Sequence, residues 1–219
     1  MKSSYYFTVD IISNEKNNAI IIDPGNFLPR EDSAFFDYIE QNELKPTQII
    51  NTHCHLDHVL GVHACKEKYQ IPFSFHATEQ QVLDWAPEAA MRYGVPMVHS
   101  PKADFYLKEG DNIMLDDDKL KILFAPGHSP GHVCFYSAAN NFVIAGDVIF
   151  QSSIGRTDLP GGDFDGVVPT NRGVLAFDAY VQAWQQRFHW LPTTLVRRYA
   201  RAYGTRINTL LAHRNKLAD

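Results

Sequence analysis

The sequence predicts a layered α/β domain over residues 1–169 followed by a basic helical hairpin over residues 170–219. Three observations support this. Through the first 150 residues, short β-branched or aromatic runs alternate with amphipathic helical patterns, the order expected of an α/β layer. Beyond Pro169, apolar residues recur at steps of three and four, with no strand pattern between them. The charge changes at the same place. Residues 1–169 carry 12 Lys+Arg against 23 Asp+Glu, nine of the cations being lysine, whereas residues 170–219 carry 8 against 2, seven of the eight being arginine. A joint change of sign and of cation type marks a boundary near Pro169.

Taken in order, residues 5–12 are apolar and aromatic enough for a strand, and residues 19–22 form a β-branched run halted by the turn signal Asp23-Pro24-Gly25. Phe35, Phe36 and Ile39 stand at helical spacing within residues 31–40. Residues 48–51 read as a buried strand, 59–69 as a helix and 72–75 as a short strand. Thr78 with Gln81 matches a capping box opening a helix that runs to about residue 92. A Pro-containing loop follows at 97–104, then strands at 121–125, 133–136 and 142–145. In the tail, Val174, Phe177, Val181, Trp184 and Phe188 form one helical stripe, and Val196, Tyr199, Tyr203, Ile207, Leu210 and Leu211 a second, weakened at Gly204.

With 45% hydrophobic and 21% charged residues, the chain reads as globular rather than disordered. No apolar run approaches a membrane span, and the Met1-Lys2-Ser3-Ser4 start lacks signal-peptide features, so a cytoplasmic protein without membrane attachment is expected. Cys54, Cys65 and Cys134 are odd in number and irregularly spaced, which agrees with a reducing compartment. The arginine-rich tail comes with no reading motif or aromatic platform, so no nucleic-acid partner is expected.

The densest chemistry lies in Thr52-His53-Cys54-His55-Leu56-Asp57-His58, which follows a strand and packs three histidines and an aspartate into six positions. Imidazole and carboxylate suit zinc, iron and similar divalent metals. The Cys54 side chain falls between two of these positions and reads as a spectator. Two further strand ends offer donors: His128 in the Pro/Gly turn Ala125-Pro126-Gly127-His128-Ser129-Pro130-Gly131-His132, and Asp147 after Gly146.

The succession H-x-H-x-D-H, P-G-H-S-P-G-H and G-D resembles the metallo-β-lactamase superfamily, in particular its glyoxalase II-like (hydroxyacylglutathione hydrolase) branch. Ile22-Asp23-Pro24-Gly25 and Ser153-Ile154-Gly155-Arg156-Thr157-Asp158 extend the likeness over about residues 5–168. It implies an αββα sandwich. It also implies that His53, His55 and His128 hold one metal, that Asp57 and His58 belong to a second, and that Asp147 bridges them. Asp57 and Asp147 would then stand at the catalytic centre of a zinc-dependent hydrolase, in which a metal-bound hydroxide attacks a small-molecule thioester such as an acylglutathione. Asp23 would orient a ligand histidine, His132 would pack or orient its turn, and Arg156 could pair with Asp158.

The departure from the family is at the end. The family takes its last histidine for the second metal from a P-G-H-G segment that this chain lacks; neither His189 nor His213 falls at the matching place. The second zinc site is therefore expected to be incomplete, the sandwich C-terminally incomplete and the activity impaired. The last fifty residues instead resemble the C-terminal helical region of FAD-dependent glycerol-3-phosphate dehydrogenases, without any flavin-binding motif. Two alternatives stay open. A persulfide dioxygenase of the same superfamily needs only one iron on His53, His128 and Asp147. A non-catalytic fusion product is the other.

Overall fold

The computed structural model describes residues 9–163 other than 96, 98, 99, 141, 151 and 152. The start of the strand expected at 5–12, His99, His189, His213, the boundary near Pro169 and the helical hairpin lie outside the described residues. The chain divides into two compact units between Ile122 and Leu123.

In the first unit, β1 (Asp10–Ser13) pairs antiparallel with β2 (Asn18–Ile22), which starts a parallel run through β3 (Lys45–Ile50), β4 (Phe73–His76) and β5 (Phe105–Leu107) in the order β1-β2-β3-β4-β5. Parallel neighbours need crossovers, and helices supply each one. These are α1 (Pro29–Gln41), α2 (Leu56–Val59) with α3 (Val62–Tyr69), and α4 (Gln80–Tyr93). The unbroken apolar run Ala19 to Ile22 follows from this placement. All four residues are fully buried, as a strand inside a parallel sheet must be. Ile21, Ile49, Phe73, Phe75, Val62, Cys65 and Leu83 meet in one core, where each buried Ile or Phe stabilises by about 1.5–3 kcal/mol.

Local chemistry fixes the helix ends. Glu31 reaches back to the N–H groups of Phe27 and Leu28 at 3.1 and 3.2 Å, and Pro29 opens α1. The helix expected at 59–69 is broken at Leu60-Gly61, where the chain backs onto Asn26. A Cβ at Gly61 would lie 2.2 Å from Asn26 Oδ1, and Gly61 N donates to Pro24 O at 2.8 Å. The capping box expected at Thr78 and Gln81 does not form. A 3-10 turn, Ala77–Glu79, precedes α4, and Thr78 N donates to His76 Nδ1 instead. Pro87 lies inside α4 and cannot donate to Leu83 O; Ser100 Oγ takes that carbonyl at 2.8 Å and ties down the following loop.

Strands β5 and β6 (Asn112–Leu115) occupy stretches left unassigned in the sequence. The start of β4 and the approach to β5 are tied together by Asp104, whose carboxylate accepts from Phe73 N at 2.7 Å and from Lys66 Nζ. The Lys66 bond, then the Phe73 bond, hold its carboxyl below the ordinary value. Strand β6 turns tightly into β7 (Asp118–Phe124), and Asp116 in that turn accepts from Asn14 and Asn18 at 2.7 and 2.8 Å.

β7 carries the chain into the second unit. There β8 (Val133–Ser137) pairs antiparallel with β9 (Phe142–Ile144), followed by the two-residue strands β10 (Ile149–Phe150) and β11 (Ser153–Ile154). Ala125, Cys134, Ala145 and Val148 form its small core. Ala125 N donates to His132 O at 2.8 Å, closing the 126–132 loop, and Asp163 N donates to Gly127 O at 2.7 Å. Among the described residues, no helix is long and apolar enough to cross a membrane.

Candidate metal centre

Neighbouring parallel strands that end in step deliver their following residues to one edge, the usual place for an α/β site. Ile22 pairs with Ile50, and Ile50 with Ser74, so Asp23, the motif after Asn51 and the turn after His76 all leave the same edge of the first unit. His53 is fully buried and His58 nearly so, with their ring centroids 4.0 Å apart; His53 and His55 meet edge to face at 4.7 Å. Asp57 is exposed, its Oδ2 3.8 Å from His58 Nε2.

Asp23, held at a positive φ of 49° by the turn, organises these rings. Its Oδ1 accepts from Thr52 N at 2.7 Å, and its Oδ2 accepts from the Thr52 hydroxyl and stands 3.1 Å from His58 Nδ1. The Thr52 hydroxyl has given its single proton to Asp23 and can only accept from His53 Nδ1, 3.1 Å away. The His53 ring then presents the lone pair of Nε2. Asp10, at the start of β1, is raised above the ordinary carboxyl value by burial first and by the Asp23 charge second, with His58 opposing.

Two more buried side chains hold the motif's backbone. Asn51 Nδ2 donates to the carbonyls of His53 and His58, at 3.2 and 2.7 Å. Glu79, fully buried, accepts from Cys54 N at 2.8 Å. The Cys54 thiol packs in the core, and burial first, then the charges of Glu79 and Asp23, push it well above the usual thiol range. It stays a protonated spectator. The sequence reading missed Asn51 and Glu79. A lone acid after a strand has no pattern, and only the alignment of β3 with β4 gives it a partner.

In the second unit, His128 Nδ1 lies 2.7 Å from Arg156 O. A carbonyl only accepts, so Nδ1 carries the proton and Nε2 presents its lone pair, 3.5 Å from Asp147 Oδ2. His132, also buried, accepts from Asp147 N through Nε2 at 3.2 Å and so orients the aspartate's backbone. Gly155 is packed beneath this pair. A Cβ there would lie 1.7 Å from Asp147 O and 3.0 Å from His128 Nδ1. Arg156 and Asp158 do pair, through two 2.8 Å bonds that hold the Asp158 carboxyl down to about 2. Among the described residues, His63 and His76 bring no donor to either cluster; burial lowers His76 despite Glu109.

The donor sets fit a divalent transition metal: imidazoles fixed in one tautomer with Nε2 outward, and carboxylates beside them. An α/β chain with such clusters at its strand ends defines a metalloprotein class, and comparison with known proteins narrows it. Residues 3–188 match the family described as Metallo-beta-lactamase superfamily, and the chain belongs to it. The chain is similar to hydroxyacylglutathione hydrolase GloC of Haemophilus influenzae, at 33% identity over 75% of this chain and 77% of that one. It is also similar to the probable metallo-hydrolase YqgX of Bacillus subtilis, at 34% identity over 74% of each. Among solved structures, the BLEG-1 B3 metallo-beta-lactamase superimposes with a TM-score of 0.65 at 32% identity, covering 72% of this chain and 75% of that one. TTHA1623 in a di-iron-bound form gives 0.64 at 29%, covering 84% and 81%. The α/β class and the superfamily expected from sequence are thus both found.

Proposed function

We propose that the protein is a metal-dependent hydrolase of a small-molecule thioester, an acylglutathione being the first candidate. In this reading His53, His55 and His128 hold one metal ion, Asp57 and His58 contribute to a second, and Asp147 serves both. Zinc suits this donor set, and iron is compatible with it. The observation that carries the reading is the shared arrangement of His53 and His128, each with Nδ1 held by a protein oxygen so that Nε2 is left for a metal. Likeness to GloC supports the thioester.

When bound, such metals lower the pKa of water from about 16 toward roughly 7 and polarise a carbonyl. The chain's own residues do the rest. Thr52, itself bound to Asp23, holds the His53 ring through Nδ1, Asp23 stands beside His58, and Arg156 O holds the His128 ring through Nδ1. Asp57, the exposed donor, can take a proton at Oδ2 and pass it to solvent. His132 fixes the Asp147 backbone, so that its carboxylate is aimed before substrate arrives.

The test uses the full chain, purified, stripped with a chelator and reloaded with zinc. Loss of thioester absorbance from S-lactoylglutathione should appear on reloading and vanish in His53→Ala. Zinc-loaded protein that leaves the thioester intact but opens a β-lactam would overturn the substrate assignment. Bound iron with oxygen uptake on glutathione persulfide would replace hydrolysis by the dioxygenase reading.

A further inference from the structure

Among the described residues of the first unit, Glu79 is the one fully buried acid that the proposed chemistry leaves unused. It occupies the N-cap position of α4, where a side-chain oxygen normally accepts from the helix's own first N–H groups. It makes no such cap. Its Oε2 turns away and accepts from Cys54 N, 2.8 Å off. Burying a carboxylate is costly unless the group is paired, so a site that keeps one here has a use for its direction.

That use follows from the peptide it grips. The His53–Cys54 peptide presents its carbonyl to Asn51 Nδ2 at 3.2 Å and its N–H to Glu79. Held at both ends, the plane of this peptide cannot turn, and it is the first of the two peptides that separate the Cα atoms of His53 and His55. Thr52 N, bound by Asp23, fixes the residue before, and His58 O, bound by the second Asn51 proton, fixes the far end of the motif. We propose that Glu79 is a positioning residue, whose acceptor oxygen sets the spacing of the His53 and His55 imidazoles before metal arrives. The inference rests on the metal-binding reading above.

Zinc affinity, by competition with a chromophoric chelator, and the visible spectrum of the cobalt-substituted protein test it directly. Glu79→Met keeps the apolar volume and removes the acceptor; it should weaken zinc binding about ten- to hundredfold and shift the cobalt bands. Glu79→Gln, which retains an acceptor oxygen, should restore both toward wild type. A purely structural role would lower the melting point of the metal-free protein and leave affinity and spectrum alone, and that result overturns the proposal. So does a Glu79→Gln variant as weak as Glu79→Met. Should Glu79→Met fail to fold, Glu79→Asp, one methylene short of Cys54 N, must still lose affinity; wild-type binding there is equally fatal. A wild-type chain that takes up neither zinc nor cobalt defeats the metal reading itself, whereas wild-type binding with an indifferent Glu79→Met defeats only the role of Glu79.

Discussion

Asp23 accepts two hydrogen bonds from Thr52 and stands beside His58, so deleting its carboxylate leaves buried donors without an acceptor. Each orphaned buried group costs about 1–3 kcal/mol, and loss of such a partner typically weakens metal binding about ten- to hundredfold. Asp23→Ala is therefore expected to lower the denaturant midpoint and the zinc affinity together. Unchanged zinc affinity would show that Asp23 does not orient the His53 and His58 rings. The turn at Asp23 was legible as a β-branched run stopped by Asp-Pro-Gly, whereas its role beside a ligand histidine came from the family resemblance. Asn51 and Glu79 were not legible. Their significance lies in which backbone groups they reach, and those contacts exist only once β3 and β4 lie side by side.

The elements located from the sequence are those with a one-sided helical pattern, such as α1, or an apolar run bounded by turn residues, such as β2 and β8. Strands β10 and β11 escaped because two residues carry no period, and β6 is embedded among aspartates that mask its alternation. Residues 59–69 were read as one helix because Gly61 is tolerated in a helical pattern; its requirement for space against Asn26 is tertiary. Gly155 is the same kind of residue in the second unit. A methyl group there meets the carbonyl oxygen of Asp147, which is backbone and cannot swing aside. Gly155→Ala should cost about 1–3 kcal/mol through the forced shift. It should also weaken metal binding, since His128 takes its proton-fixing contact from Arg156, the next residue. Wild-type stability combined with wild-type metal affinity would contradict this packing account.

For the molecule as a whole, three short motifs at successive strand ends identified the superfamily because each places donors where strand ends hold them rigidly. The division of the chain at Ile122/Leu123 left no such mark, since it falls inside β7, a strand of continuous alternating pattern. The donor residues lie on either side of that division, His53, His55, Asp57 and His58 before it and His128 and Asp147 after it. If metal is bound as proposed, it binds the folded chain and not the unfolded one, and folding and metal uptake are linked. At free metal one hundred times the dissociation constant, the linkage contributes about 2.7 kcal/mol. For a chain of this size, each kcal/mol moves the melting point by about 2–4 °C, so chelation should lower it by roughly 5–11 °C. Calorimetry with and without chelator measures this directly. In His53→Ala the two traces should coincide, because the metal-dependent increment is lost with the ligand. A wild-type melting point indifferent to chelator would mean that the metal does not stabilise the folded chain.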